Sequence, residues 1–274
     1  MTHFCLSVDV EEDLPGILPH GVRGIEDGLP ALCEILDEVR VRADFFFLAS
    51  VVREYPDLVR DAVNAGHGIG NHGLDHSQLC QKPIDRQRED VRLSTRIVTD
   101  AGGVPPRMFR APNFSADSAT LALLEEEGYV VDSSVLPGRV LRRGFRTVYD
   151  HRGAPTRPYY PGRKQTMPGR LLEIPVTPNP RRPGTPFGQG ALNTYGPASF
   201  LEMAKTLDSD VLVFLVQPWE LVDLASYYPG LPSGYSDVCT SDCGPLRSFL
   251  MDVSKNFSTT TLNNLARAEG GDIS

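Results

Sequence analysis

Short apolar runs alternate with amphipathic segments along most of the chain, and polar residues follow several of the runs directly. Thr2 to Val10 is apolar and leads into acids, and Ala43 to Ala49 is a second apolar run. Between them, Gly28 to Val39 carries leucine and isoleucine at helical spacing. Apolar runs of this length are typical of strands buried on both faces of a parallel sheet. The alternation predicts a β/α fold with functional residues at the strand ends.

The same alternation continues to residue 216 and predicts a β/α barrel. The further predicted elements are helix Pro56–Ala65, strand His67–Gly70, helix Ile84–Ala101, strand Met108–Arg110, helix Ser115–Glu127, and strands Tyr129–Asp132, Leu171–Pro175 and Val211–Val216. The sequence has no fixed-period repeat and no low-complexity tail, so we expect a single domain over residues 1–274.

Charge and composition exclude several classes of protein. With 274 residues, 41% of them hydrophobic, the chain can bury a full core. A net charge of -8 argues against general binding to nucleic acid or to an anionic membrane, with the local exception of the basic insertion described below. No run of 18 apolar residues predicts a membrane span, and the start lacks a secretory pattern, so we expect a cytoplasmic protein.

The five cysteines are odd in number and scattered, which favours reduced thiols over a disulfide framework. Cys239 and Cys243 are four residues apart. Without a second pair of ligands at zinc-site spacing, we interpret them as a loop pair.

A Pro-, Gly- and Arg-rich insertion interrupts the alternation at about 137–195. Its basic residues up to position 182 are Arg139, Arg142, Arg143, Arg146, Arg152, Arg157, Arg163, Lys164, Arg170, Arg181 and Arg182, against two acids, Asp150 and Glu173. One interpretation is a solvated loop whose arginines pair with acids elsewhere. The other is a rim, including Arg142 and Arg143, that attracts an anionic substrate such as a phosphorylated or nucleotide-linked sugar.

Asp9 and Glu11 lie two residues apart at the end of the first predicted strand, so their side chains share a face. One carboxylate can bind a metal ion while the other accepts a proton from a water that the metal activates. The alternative is a pair of acids that merely face solvent, since short acidic runs are common.

His72 and His76 are four residues apart, and one helical turn would place both imidazoles on one face. Together with one carboxylate they could hold a divalent ion with open positions for water and a substrate carbonyl. We expect zinc, while cobalt, nickel, manganese and iron suit the same ligands. We interpret His67 as a structural histidine.

In this order the motifs resemble the polysaccharide deacetylases of carbohydrate esterase family 4, the NodB-homology proteins. The segments that carry the resemblance are SVDVE at 7–11, GHGIGNHGLDHSQL at 66–79, FRAPNFS at 109–115, VDSS at 131–134, LEIP at 172–175 and PWE at 218–220. They are spread over essentially the whole chain.

The resemblance implies a distorted barrel of about seven parallel strands and a metal-dependent deacetylase that acts on N-acetyl amino sugars. Carried over, Asp9 is the general base and Glu11 replaces the usual aspartate ligand, beside His72 and His76. Glu12 or Asp13 could compete with Glu11 for the ligand role.

Three further roles follow from the resemblance. Arg110 corresponds to the family arginine that pairs with the base. The backbone N–H near Asn113 lies where the family has an oxyanion donor. Trp219 could form an apolar wall of the sugar pocket, with core packing as the equal alternative.

Gln217 departs from the family pattern, which has a histidine here that protonates the leaving amine. A glutamine cannot release a proton near neutral pH, and losing a positioned acid costs roughly 10² to 10⁴ in rate. His151 and Glu220 remain open as replacements.

We therefore expect an amide-hydrolysing deacetylase whose substrate is a cytosolic small or lipid-linked amino sugar, in some oligomeric state that the sequence leaves open. One alternative is a hydrolase of a linear or cyclic non-sugar amide on the same fold. The other, suggested by Gln217, is a catalytically weakened binding protein.

Overall fold

The described residues, 2–161, 170–236 and 238–268 of a computed structural model, form alternating strands and helices. The strands are β1 (His3–Val10), β2 (Ala43–Phe47), β3 (Gly68–Asn71), β4 (Met108–Phe109), β5 (Val131–Asp132), β6 (Val140–Arg143), β7 (Arg146–Asp150), β8 (Leu172–Glu173), β9 (Val211–Val216) and β10 (Ser258–Thr260). The helices are α1 (Leu29–Val39), α2 (Ala49–Glu54), α3 (Asp57–Asn64), α4 (Ile84–Gly102), α5 (Ser118–Glu126), α6 (Gln189–Tyr195), α7 (Pro197–Thr206), α8 (Leu224–Tyr227), α9 (Ser233–Ser236), α10 (Gly244–Asn256) and α11 (Leu262–Ala268).

The main sheet is parallel and curled. Seven strands follow one another in the order β9-β1-β2-β3-β4-β5-β8, and β10 pairs with His3–Cys5 at the start of β1. Beyond β8 the chain returns to β9, where the Leu215 amide donates to the Phe187 carbonyl. This near-closure confirms the predicted distorted barrel of about seven parallel strands.

Alternate residues of the strands face two apolar layers. Leu6 and Val8 of β1 pack outward in the cluster that includes helix α1. Cys5 faces the barrel interior with Met108 and Val213. Because successive side chains point to opposite faces, the inward set of β1 continues as polar residues toward its carboxyl end.

Several predicted boundaries were wrong. β5 begins at Val131 instead of Tyr129, and β8 spans only Leu172–Glu173. The run Ala43 to Ala49 ends as a strand at Phe47, and α2 begins at Ala49. Helix α5 begins at Ser118 rather than Ser115, because the Asp117 side chain accepts hydrogen bonds from the amides of Ala119 and Thr120 and so caps its N-terminus.

The insertion contains regular structure as well as loops. β6 and β7 form an antiparallel hairpin with a register shift at Leu141 and Arg142. Arg163 and Lys164 lie outside the described residues. Among the described helices, none is long and apolar enough to cross a membrane.

Gly28 lies against the segment that follows β9. A Cβ at this position would lie 2.0 Å from the carbonyl oxygen of Pro218. Backbone cannot move aside as a flexible side chain can, so only glycine fits here.

We expect Gly28→Ala to lower the free energy of unfolding by roughly 1–3 kcal/mol, the usual cost of overpacking. Gly153→Ala is the matched control, because a Cβ there meets no atom within 4 Å. Denaturant unfolding of both variants tests the prediction, which equal stabilities would contradict.

Candidate active site

Glu11, His72 and His76 converge at the carboxyl ends of β1 and β3. Oε2 of Glu11 lies 3.3 Å from Nε2 of His72 and 2.8 Å from Nε2 of His76. One ligand atom from each residue lies within 4.8 Å of the others. Burial alone would raise the pKa of Glu11, but the charges of His76 and His72 and their hydrogen bonds hold it below its ordinary value.

The two histidines reach this point from a loop rather than from the helical turn that their spacing suggested. Residues 72–78 contain no helix. The His72 amide continues the sheet by donating to the Phe47 carbonyl, and Gly73 then turns the chain with a φ of +90°. A positive φ favours glycine, so this residue permits the turn between the histidines.

A hydrogen bond orients His72 for metal binding. Its Nδ1 lies 2.8 Å from the carbonyl oxygen of Arg110. Because a carbonyl only accepts, Nδ1 carries a proton, and Nε2 is the ring nitrogen that faces Glu11. Metal-ligating histidines usually have such a partner.

Hydrogen bonds to Oε1, the carboxylate oxygen that does not face the histidines, fix the Glu11 side chain. Oε1 accepts hydrogen bonds from Nε2 of Gln217 at 2.5 Å and from Nε1 of Trp219 at 3.2 Å. This leaves Oε2 to face both histidines, so the three residues fit a single divalent ion with one carboxylate and two imidazole ligands.

Glu12 and Asp13, the other two candidates for the carboxylate ligand, do not lie at the histidines. Asp13 accepts hydrogen bonds from the amides of Arg23 and Gly24 and from the Tyr228 hydroxyl. Glu12 is outside the cluster of possible ligands. Of the three acids left open by the sequence, the structure therefore brings Glu11 to the histidines.

Asp9 is fixed by a fully buried arginine. Its Oδ1 accepts from Nη1 of Arg110 at 2.8 Å, and its Oδ2 lies 4.0 Å from Nε2 of His72. Arg110 also donates to Oγ of Ser7 at 3.0 Å and, through Nε and Nη2, to the carbonyl and hydroxyl oxygens of Ser133. The serines were missed by sequence reasoning, although both belong to the quoted motifs.

A cavity of about 260 Å³ opens over these residues. It is bordered by Asn113, Trp219 and Gln217, and also by Arg139 and Ile17, which the motifs did not indicate. Nδ2 of the Asn113 side chain lies 3.2 Å from Nδ1 of His76. Trp219 is thus more than an apolar wall, since its indole N–H binds Glu11.

Arg142 and Arg143, the two arginines predicted to form a rim, have different surroundings. Arg143 borders a neighbouring cavity of about 510 Å³ together with His76, Asn113 and Lys82. Arg142 is exposed on β6 and borders neither cavity. Elsewhere in the insertion, Arg152 pairs with Asp150 and Arg157 with Asp208, as the loop interpretation expects for these two arginines.

Neither candidate replacement acid is free in the cavity. His151 is buried, with Nδ1 accepting from the Leu136 amide and Nε2 at 3.1 Å from the Ala116 carbonyl. Burial raises the pKa of Glu220 to about 8, and its two oxygens accept from the amides of Gly190 and Gln217. His67 is structural as expected, since its Nδ1 accepts from the Ala43 amide.

The fold and this site together define a β/α barrel with a candidate metal centre and a clamped second carboxylate at its mouth. A family model described as polysaccharide deacetylase matches residues 19–131. This match spans less than half of the chain and confirms the resemblance drawn from the motifs. The match includes both histidines and Arg110, while Asp9, Glu11 and Gln217 lie outside it.

Two relatives carry deacetylase names. A peptidoglycan deacetylase of Helicobacter pylori is 29% identical over 126 residues, which are 46% of this chain and 43% of the relative. A chitooligosaccharide deacetylase of Azorhizobium caulinodans is 36% identical over 86 residues, 30% of this chain and 40% of the relative. The chain thus spans less than half the length of these relatives.

Solved structures share the fold over nearly the whole chain. A Mycobacterium smegmatis protein assigned as a polysaccharide deacetylase has a TM-score of 0.67 at 20% identity, covering 98% of this chain and 91% of its own. PuuE allantoinase has a TM-score of 0.70 at 15% identity, and the match covers 99% of this chain and 91% of the allantoinase. A Bacillus anthracis pseudoenzyme of carbohydrate esterase family 4 has a TM-score of 0.59 at 15% identity, and the match covers 97% of this chain and 65% of the pseudoenzyme. A mutant of that pseudoenzyme is described as having restored enzymatic activity.

We expect the purified protein to bind about one divalent ion per chain and the His72→Ala/His76→Ala variant to lose it, because two of three ligands are removed. Plasma mass spectrometry measures the content. His20→Asn, at an exposed histidine with a φ of +57° that asparagine tolerates, is the control and should retain the metal. Equal metal content in all three proteins would contradict the assignment.

Proposed function

We propose that this protein is a metal-dependent deacetylase that hydrolyses the N-acetyl group of an amino-sugar substrate. The observation that carries the proposal is the arrangement of Asp9 beside the Glu11, His72 and His76 cluster, with Arg110 holding Asp9 from behind. The deacetylase names of the relatives support the reaction class.

Asp9 is the base in this proposal. Arg110 occupies its Oδ1, so the free Oδ2 faces the cluster and can accept a proton from a water that attacks the acyl carbon. A divalent ion bound by Glu11 and the histidines would polarise the acyl oxygen and lower the pKa of that water, with zinc the expected metal. The residues around the cavity position the substrate.

The departing amine needs a proton when the carbon–nitrogen bond breaks. Gln217 has none to give, and its amide is engaged with Glu11. The proton accepted by Asp9 is therefore the one that can pass to the nitrogen. The products are acetate and an amine, and the atoms balance without a further residue.

The substrate within this proposal is a small or lipid-linked molecule in the cytoplasm, in keeping with five free thiols. Arg143, on the wall of the second cavity, supplies positive charge for an anionic group such as a phosphate, whereas Lys82 on the same wall is paired with Asp90 and Asp75. Cell fractionation and an acetate-release screen of N-acetyl sugars test these two parts separately.

We expect Asp9→Asn to reduce turnover by about 10² to 10⁴, because an amide cannot accept the proton. Metal content should remain that of the wild type, since Asp9 is not in the ligand cluster. Full turnover with the metal bound would remove Asp9 from its role as base. A thermal melt checks that the loss does not come from unfolding around the buried Arg110.

A second candidate function is that of a binding protein whose catalysis has been weakened. The presence of glutamine at position 217 favours it. The Gln217 amide donates to the carboxylate of Glu11, so the residue supports the ligand cluster instead of supplying a proton. Such a protein would bind the substrate without turning it over.

We expect Gln217→His to raise the turnover number, because an imidazole can protonate the amine while still donating to Glu11. Gln217→Asn is the control, since it keeps the amide and adds no acid. A rate unchanged by the histidine, with substrate affinity intact, would favour the binding protein. A substrate panel that includes cyclic and linear amides tests the remaining alternative of a non-sugar amidohydrolase.

A further inference from the structure

The hairpin formed by β6 and β7 ends in an aromatic side chain that nothing covers. Phe145 follows Gly144 in the turn and has a relative exposure of 110%, while the other exposed large apolar residues of the described chain range from 37% to 49%. An isolated apolar side chain on the surface is ordinary, but complete exposure of a phenylalanine at a projecting tip is not.

Three arginines lie close to this phenylalanine in the sequence of the hairpin. Arg142, Arg143 and Arg146 are all exposed, and within the described ranges none of them forms a salt bridge. The acid of the hairpin, Asp150, is bound by Arg152. A protein with a net charge of -8 thus concentrates unpaired positive charge around one apolar side chain.

The tip stands on a well-packed base. Tyr149 of β7 is buried, and its hydroxyl donates to the carbonyl of Asn113 at 2.5 Å. Arg139 donates to the same hydroxyl at 3.0 Å, and the ring of His151 stacks on Tyr149 with centroids 4.7 Å apart. These contacts hold the hairpin against the segment beside the candidate metal centre.

The hairpin also forms part of the wall of a cavity next to the candidate metal centre. Arg143 borders the cavity of about 510 Å³ that His76 and Asn113 border on another side. A ligand whose headgroup lies at the hairpin can therefore reach the cluster without leaving the protein surface.

We propose that the tip of this hairpin, Arg142–Arg146, docks on an anionic phospholipid surface. Phe145 enters the interfacial region, where an aromatic ring is favoured, and the arginines bind lipid phosphates. One aromatic ring and three charges fall short of the two strong signals that stable anchoring requires, so the docking is reversible.

The chemistry favours a bilayer over other partners of a basic tip. The net charge of -8 repels nucleic acid and an anionic bilayer alike, so only the local charge of the tip can attract either of them. A protein groove would require a larger apolar surface than one side chain offers. A lipid surface needs only a shallow aromatic contact and phosphate pairing, and both are present.

A consequence for the substrate rests on the proposed function: a lipid-borne amino sugar would be presented at the cavity beside His76 while its lipid stays in the bilayer. The docking itself does not depend on catalysis. The two ideas can therefore fail separately.

Co-sedimentation of the full chain with vesicles, measured without substrate, tests the docking. We expect binding to vesicles of mixed phosphatidylglycerol and phosphatidylcholine and much weaker binding to phosphatidylcholine alone. The Arg142→Ser/Arg143→Ser/Arg146→Ser variant should bind about 100-fold more weakly, from about 5-fold for each arginine near an anionic surface. The Phe145→Ser variant should bind these vesicles roughly 5-fold more weakly than the wild type.

Met251→Ser is the control, because Met251 is 48% exposed on helix α10, and it should bind as the wild type does. Equal sedimentation with neutral vesicles, or wild-type binding by the triple-serine variant, would overturn the proposal. So would failure of the wild type to sediment. Hydrolysis of a soluble substrate should survive Phe145→Ser, so loss of docking with activity retained separates the surface from the catalytic site.

Discussion

The buried ion pair of Asp9 and Arg110 is the interaction on which the rest of the site depends. Arg110 is fully buried, and a guanidinium in that position requires a negative partner and further acceptors. Asp9 supplies the charge, Ser7 and Ser133 supply oxygens, and the Phe46 ring lies under the guanidinium at 4.3 Å. Four strands or strand ends are thereby tied together beneath the cavity.

Behind this pair lies a second pair of acids, to which the sequence analysis assigned no role. Asp132 and Glu173, on neighbouring strands β5 and β8, are both buried, and burial raises the pKa of each. Protonation of either acid would remove one charge from the barrel interior. Asp132 also accepts from the amide and hydroxyl of Ser134, next to the serine that holds Arg110.

The sequence predicted the features that follow from periodicity and strand ends. The apolar runs gave the barrel, and Asp9, Glu11, His72 and Arg110 lie near one another because the carboxyl ends of parallel strands meet at one edge. The pairing of Gln217 with Glu11 was not predictable, since 206 residues separate them and no local pattern reports such a contact. The arginines of the insertion looked alike in sequence, and only their three-dimensional neighbours divide them into paired and unpaired sets.

The attachment of the hairpin has a structural consequence. The Tyr149 hydroxyl binds the Asn113 carbonyl, His151 lies at hydrogen-bond distance from the Ala116 carbonyl, and the Asn113 side chain in turn touches His76. Two hydrogen bonds therefore connect the hairpin to one of the imidazoles, through the backbone and then the side chain of Asn113. The hairpin is thus part of the support of the candidate metal centre as well as part of the surface.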